Sequence, residues 1–138
     1  MAYANRAPSA YQEVQVRGTD PRGLVTLLFQ GLMKFLVRAR AAVEEQDYAK
    51  KADALSKAQG ILSELICSLD EEKAPDLAPS LKALYAHLQR ELVEVDLQDD
   101  VERLAYVTEI AQMIRDAWEE ALQICQQQGG QQPGATAG

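Results

Sequence analysis

The single histidine, His87, and the two cysteines, Cys67 and Cys125, are the side chains best suited to nucleophilic or metal chemistry. One histidine and two distant thiols fall short of the three or four ligands a zinc site needs. A ferritin-like di-metal site requires Glu-x-x-His pairs on two helices, and the residue three before His87 is Leu84. Both cysteines lie inside apolar helical patterns and read as reduced, partly buried thiols. The chain has no Gly-rich phosphate loop, no G-x-S-x-G elbow and no Cys–His pair at an interpretable spacing. The acidic runs Glu44-Glu45, Asp70-Glu71-Glu72, Asp99-Asp100 and Glu119-Glu120 read as helix caps and solvated faces. None follows the calcium-loop spacing. No metal, cofactor or catalytic residue is therefore expected. One reaction stays open: a helical bundle with one histidine can accept a phosphoryl group, here on His87, one step off the Leu84/Leu88 seam. No glycine follows it to let a partner approach.

What must position these residues is helical. The first periodic segment runs from Pro21 to Gln46, with Asp20 as N-cap and Pro21 in the first helical position. Leu24, Leu28, Leu32, Phe35 and Ala39 form one apolar line; Val25, Phe29, Leu36 and Val43 form a second; Leu27 and Met33 flank them. Together they span an arc of about 240° at 100° per residue. Such a helix is either central or uses a second face for a partner. Asp47 can cap a second helix, Tyr48 to Leu69, with Leu55, Ala58, Leu62, Leu65 and Leu69 as its stripe and Ile61 and Ile66 beside it. After the loop LDEEKAPD, Asp76 can cap a third helix to Val95, whose seam is Leu77, Leu81, Leu84, Leu88, Leu92 and Val95. The fourth, Asp100 to Gln127, shows Leu104, Val107, Ala111, Ile114, Trp118 and Cys125, and a neighbouring line of Tyr106, Ile110, Met113 and Ala117. Trp118 is expected in the core. The fold class is all-α, an antiparallel four-helix bundle over residues 20–127. Residues 1–19 form an N-terminal arm, and the Gln/Gly-rich residues 128–138 read as a disordered tail.

Composition narrows the partners. The formal net charge is −7. It is uneven: residues 1–43 carry six basic and two acidic residues, and residues 44–138 carry eight basic and nineteen acidic. An acidic body argues against nucleic acid and against anionic lipid. The richest apolar stretch, Leu24 to Val37, is interrupted and too short to span a bilayer, so no membrane insertion is expected. The N-terminus lacks the apolar region of a secretory signal, and a cytoplasmic protein is expected.

The apolar inventory exceeds one seam per helix, and surplus apolar surface on a bundle suits a partner helix. The candidates for such a groove are Leu28, Phe29, Leu32, Ile61, Leu65, Tyr85, Tyr106, Ile110 and Met113, about half of which should prove to be core. Tyr85 and Tyr106 suit a rim, with an apolar ring and a polar tip. Gly31 and Gly60, inside helices, are read as allowing close helix approach rather than ligand space. Tyr11 and Val14 on the arm are expected to dock on the bundle when nothing else is bound. A homodimer is the competing way to cover the surplus face.

These segments carry a resemblance. AYQEVQV at residues 10–16 resembles the N-terminal tyrosine motif of the flagellar secretion chaperones, the FliS family. LVTLLFQGLMKFLVRARAAVEEQD from Leu24 resembles that family's first long helix, and KAQGILSELICSLD from Lys57 its second. LKALYAHLQRELVEVDLQDD from Leu81 resembles the third, and RDAWEEAL from Arg115 the end of the fourth. The likeness covers residues 9 to 124 in order and spacing. Val95-Asp96 replaces the family's Ala-Asn, and Phe29 and Gln30 stand where Tyr and Asp are common. The resemblance implies a non-enzymatic cytosolic chaperone. It would bind the disordered C-terminal segment of flagellin, prevent premature polymerisation and deliver it to the flagellar type III export gate.

Overall fold

In the computed structural model, residues 20–131 are described as backbone and residues 20–128 with side chains. The arm, with Tyr11 and Val14, and residues 132–138 lie outside the described residues.

The sequence signals that start and stop the helices take effect one by one. Asp20 accepts a hydrogen bond from the Arg22 backbone N–H at 3.0 Å and Pro21 occupies the first turn, opening α1, Pro21–Glu45. Gln46 adopts a left-handed conformation, φ 59°, and closes α1. The N–H of Asp47 then reaches back to the Ala42 carbonyl at 2.9 Å. Asp47 also caps α2, Tyr48–Cys67, by accepting from the Lys50 N–H at 3.1 Å. Asp76 sits at the start of α3, Leu77–Gln98, but its side chain makes no capping bond. The carboxylate that organises that connection is Asp70, which accepts from the N–H groups of Glu72 and Lys73. Asp99, at φ 52°, ends α3. Asp100 accepts from the Arg103 N–H at 3.0 Å as α4, Val101–Gln131, begins. Thus α4 continues past the expected end at Gln127.

Each helix packs against two others: α1 against α2 and α4, and α3 against α2 and α4. Long-range bonds fix the directions. The start of α2 meets the end of α3 through Lys51 and Asp99, and the start of α1 meets the far part of α4 through Thr26 and Trp118. The result is the antiparallel four-helix bundle, with no strand among the described residues.

The core uses more of α1 than a single stripe. Leu28, Leu32, Phe35 and Ala39 from one apolar line and Phe29, Leu36 and Val43 from the other are all buried. Most of the broad arc therefore serves two neighbouring helices. A Cβ on Gly31 would meet Ile61 Cδ1 at 3.0 Å, so glycine there lets α1 and α2 approach closely. On α3 the core line is Ala78, Tyr85, Leu88, Leu92 and Val95. Leu77 is exposed and Leu84 half-buried, so the first half of the expected seam is rotated by one residue. On α4 only Leu104, Val107 and Ala111 are fully buried; Ile114 and Trp118 pack against the core while half-buried. Cys125 and Cys67 are both exposed, against the expectation of partly buried thiols. Both lie near helix ends, where helical periodicity continues but no neighbouring helix covers it.

Candidate functional site

Six of the nine expected groove residues belong to the core. Leu28, Phe29, Leu32, Ile61, Leu65 and Tyr85 are all buried, and of these Phe29, Leu65 and Tyr85 line a cavity. Their reassignment has one cause: in a four-helix bundle each helix faces two neighbours, so a second apolar line is ordinarily internal. The other three stay together on α4. Tyr106 is 45% exposed, Met113 is 64% exposed and Ile110 is half-buried. Spaced at i, i+4 and i+7, they share one face of the helix. Ala117 and Ile124, both exposed, continue that line for two further turns. An apolar row standing this far out of the core is the surface an amphipathic partner helix would cover.

The row is anchored to α3. His87 Nε2 lies 3.0 Å from the Tyr106 hydroxyl, with the two rings edge to face at 6.0 Å. The hydrogen bond holds the Tyr106 ring upright at the edge of the row. It also engages one of the two imidazole nitrogens that a phosphotransfer role could use.

At the end of the bundle where α1 and α3 begin and α2 and α4 finish lies a cavity of about 310 Å³. Its walls are apolar: Val25 and Phe29 from α1, Leu65 and Leu69 from the end of α2, and Ile114 and Trp118 from α4. Tyr85 reaches it from α3. Burial alone pushes the Tyr85 phenol up to about 12, because a phenolate would be poorly solvated there. Arg22, Lys73 and Asp70 stand at its edge. The sequence pattern pointed to Phe29, Leu65 and Tyr85 but missed Arg22, Lys73 and the cavity itself. The available signal was topological: Pro21 and Pro75 mark turns that an antiparallel bundle brings to the same end.

The opposite end of the bundle is organised by a charged cluster. Lys51 is the one buried charged side chain among the described residues. Its ammonium donates to Asp99 Oδ1 at 2.6 Å and to the Asp96 carbonyl at 2.9 Å. The Asp99 hydrogen bond, together with Asp96, raises its pKa against the opposing effect of burial. Arg103 joins the same region by pairing with Glu91 at 2.8 Å and Asp100 at 3.4 Å. These groups tie α2, α3 and α4 together, and beside them a second cavity of about 570 Å³ lies between the end of α1 and the start of α2, lined by Arg38, Ala42, Glu45, Lys50 and Asp53 among others. Among the described residues, no group of three or more His, Cys, Asp or Glu is placed to hold a metal ion. No described helix is long and apolar enough to cross a membrane.

With this geometry in place, comparison with known proteins is decisive for the family. The family described as flagellar protein FliS matches residues 3–125. The chain belongs to the FliS family. It is 35% identical to the flagellar secretion chaperone FliS of Escherichia coli K12, over 87% of this chain and 92% of that protein. It is also 35% identical to the FliS of Bacillus subtilis 168, over 83% of this chain and 85% of the relative. The flagellar secretion chaperone FliSB of Pseudomonas aeruginosa PAO1 is 33% identical, over 85% and 96%. FliS membership makes this bundle a chaperone of the flagellum, and the relatives' names describe no catalytic activity. In this FliS-family chain the matched span includes the whole α4 row as far as Ile124.

Proposed function

We propose that this chain is a cytoplasmic, non-enzymatic export chaperone that binds the disordered C-terminal segment of flagellin. Holding that segment keeps it from polymerising and presents it to the flagellar type III export apparatus. The observation that carries this reading is the row Tyr106–Ile110–Met113 on α4, an apolar face whose Tyr106 and Met113 stand exposed while Ile110 packs half-buried against the core. A disordered amphipathic segment lays its own apolar face on that row and becomes helical. The ordering costs several kcal/mol, so the complex remains releasable at the gate. The arm, with Tyr11 and Val14, covers part of the exposed surface when no client is present.

Titration calorimetry with the flagellin C-terminal segment tests the reading. Binding shows a negative heat-capacity change, and Met113→Asp weakens it at least tenfold, about 1.4 kcal/mol. The melting temperature of that variant stays within a few degrees, because Met113 is not part of the core. Equal affinity for the variant and the unaltered chain refutes this reading. Sedimentation that instead reveals a stable homodimer, with no binding of the segment, assigns the row to a second copy.

A further inference from the structure

We propose that the cavity at the end of the bundle anchors the client through a bulky apolar side chain that has an acidic side chain within one helical turn of it. This inference rests on the flagellin-binding reading and adds to it the chemical signature that the client must carry.

Three features of the cavity lead there. Its walls are the side chains of Val25, Phe29, Leu65, Ile114 and Trp118, and about 310 Å³ is enough to take one large side chain or two small ones. It is held in shape before any partner arrives. Trp118 Nε1 donates to Thr26 Oγ1 at 2.9 Å, and Thr26 Oγ1 donates to the Arg22 carbonyl at 3.1 Å. The indole wall is thereby locked to the first turns of α1. A socket with a fixed wall costs less to fill, because the Trp118 indole does not have to be ordered on binding.

The edge supplies the charge. Arg22 and Lys73 both border the cavity, and neither forms an ion pair among the described residues. The third charged neighbour, Asp70, is committed to its turn, where Oδ1 accepts from two backbone N–H groups. Two cations without an ion-pair partner among the described residues, at an apolar opening in a chain whose net charge is −7, favour a carboxylate on whatever enters. A guanidinium and an ammonium on flexible stems can close on it from two sides. The same charges disfavour the chain's own arm as the occupant. Residues 1–19 carry Arg6 and Arg17 against Glu13, a net positive segment. They also disfavour a second copy inserting the α1 start, which brings Arg22 against Arg22.

Trp118 is the only tryptophan in the chain, and it reports directly on the cavity. The experiment follows its emission during titration with the flagellin C-terminal segment, alongside calorimetry, for the full chain and for the R22Q/K73Q double variant. Both side chains are peripheral to the core, so the variant keeps its helical circular dichroism. The segment is expected to shift Trp118 emission at the same midpoint as the heat signal. Affinity for the unaltered chain falls three- to tenfold between 50 and 500 mM salt. The double variant binds about tenfold more weakly and loses that salt dependence. Neutralising one acidic residue of the segment, Asp→Asn or Glu→Gln, reproduces the loss and adds nothing to the double variant.

Other outcomes overturn the proposal in distinguishable ways. Heat of binding with unchanged Trp118 emission, together with loss of binding in Met113→Asp, leaves the flagellin reading intact and the anchor wrong. Equal affinity and equal salt dependence for the double variant mean that the cations play no part. An emission shift on deleting residues 1–19, with none on adding the segment, assigns the cavity to the arm. Emission that depends on the chain's own concentration assigns it to a second copy. No heat and no shift for the unaltered chain overturn the anchor and the flagellin reading together.

Discussion

Trp118 Nε1 donates a hydrogen bond to Thr26 Oγ1 across 2.9 Å, joining residues 92 apart in sequence. It ties the loosely covered part of α4, beyond its last fully buried residue Ala111, to the first turns of α1. The Trp118→Phe variant keeps most of the ring contact and loses the bond, at a cost of about 1 kcal/mol. Trp118→Ala loses both, and because the ring is half-buried the cost is about 2 to 3 kcal/mol rather than the larger loss of a fully enclosed tryptophan. Urea melts of these variants and of Thr26→Val measure the terms. A coupling energy near zero between Trp118→Phe and Thr26→Val would show that the bond does not form in solution.

Stability and client binding should separate along the two halves of the expected groove. Leu32 is buried between helices, and Leu32→Ala should cost about 2 to 5 kcal/mol. Met113→Ala, on the exposed row, should stay within about 0.5 kcal/mol of the unaltered chain. Affinity for the flagellin segment should follow the opposite order. Denaturant melts and calorimetry on the same two proteins check both halves of this statement.

Gly31 gives a test of the closest helix contact. Gly31→Ala gains about 1 kcal/mol in helix propensity, which the displacement of the Ile61 methyl largely offsets. The net change should be small. Gly31→Leu has no such compensation and should destabilise by about 1 to 3 kcal/mol through overpacking. Thermal melts would contradict the contact if the leucine variant were as stable as the alanine one.

Two groups make stability fall as the solution becomes alkaline. The Tyr85 phenol is pushed up by burial to about 12, from an ordinary value of 10.0. Between those values the unfolded chain holds fewer protons than the folded one, so the free energy of unfolding falls as pH rises. Lys51 acts in the same direction. Its pKa is raised above 10.5 chiefly by its hydrogen bond to Asp99, so its contribution is complete below that pH and is lost as pH rises through the folded value. Asp100 acts at the other extreme. The Arg103 backbone N–H lowers its pKa below 3.8, and its contribution is present above that value and lost in acid. Absorbance titration of tyrosinate should show one late phase near pH 12 that Tyr85→Phe removes. The same variant should lose stability less steeply above pH 10.

Both cysteines should react fully in the native state. Cys67 and Cys125 are exposed at the ends of α2 and α4. A thiol-specific reagent should titrate two thiols per folded chain, with no slow phase that tracks unfolding. One protected thiol would place a neighbour over that helix end.

The periodicity of Leu28 through Val43, the aspartates at positions 20, 47 and 100, and Pro21 determined the helices and their starts, because capping and amphipathic spacing are local properties written within a few residues. Antiparallel order followed from the short connections, and family membership from motifs in sequence order. Which apolar line faces a neighbour is not local. Phe29 and Met113 both sit on second lines, yet one is core and the other exposed, because burial depends on what packs against the line. Tyr85 displaced Leu84 from the seam of α3 for the same reason, and the wider aromatic fills the end of the bundle beside Trp118. Asp76 and Asp70 are equally good caps on paper, and the path of the loop selected Asp70. The contact between Lys51 and Asp99, and the cavity bordered by Arg22 and Lys73, join positions about fifty residues apart in the chain. Only the tertiary structure decided them, since nothing in the local sequence distinguishes these lysines and this arginine from any other solvated cation.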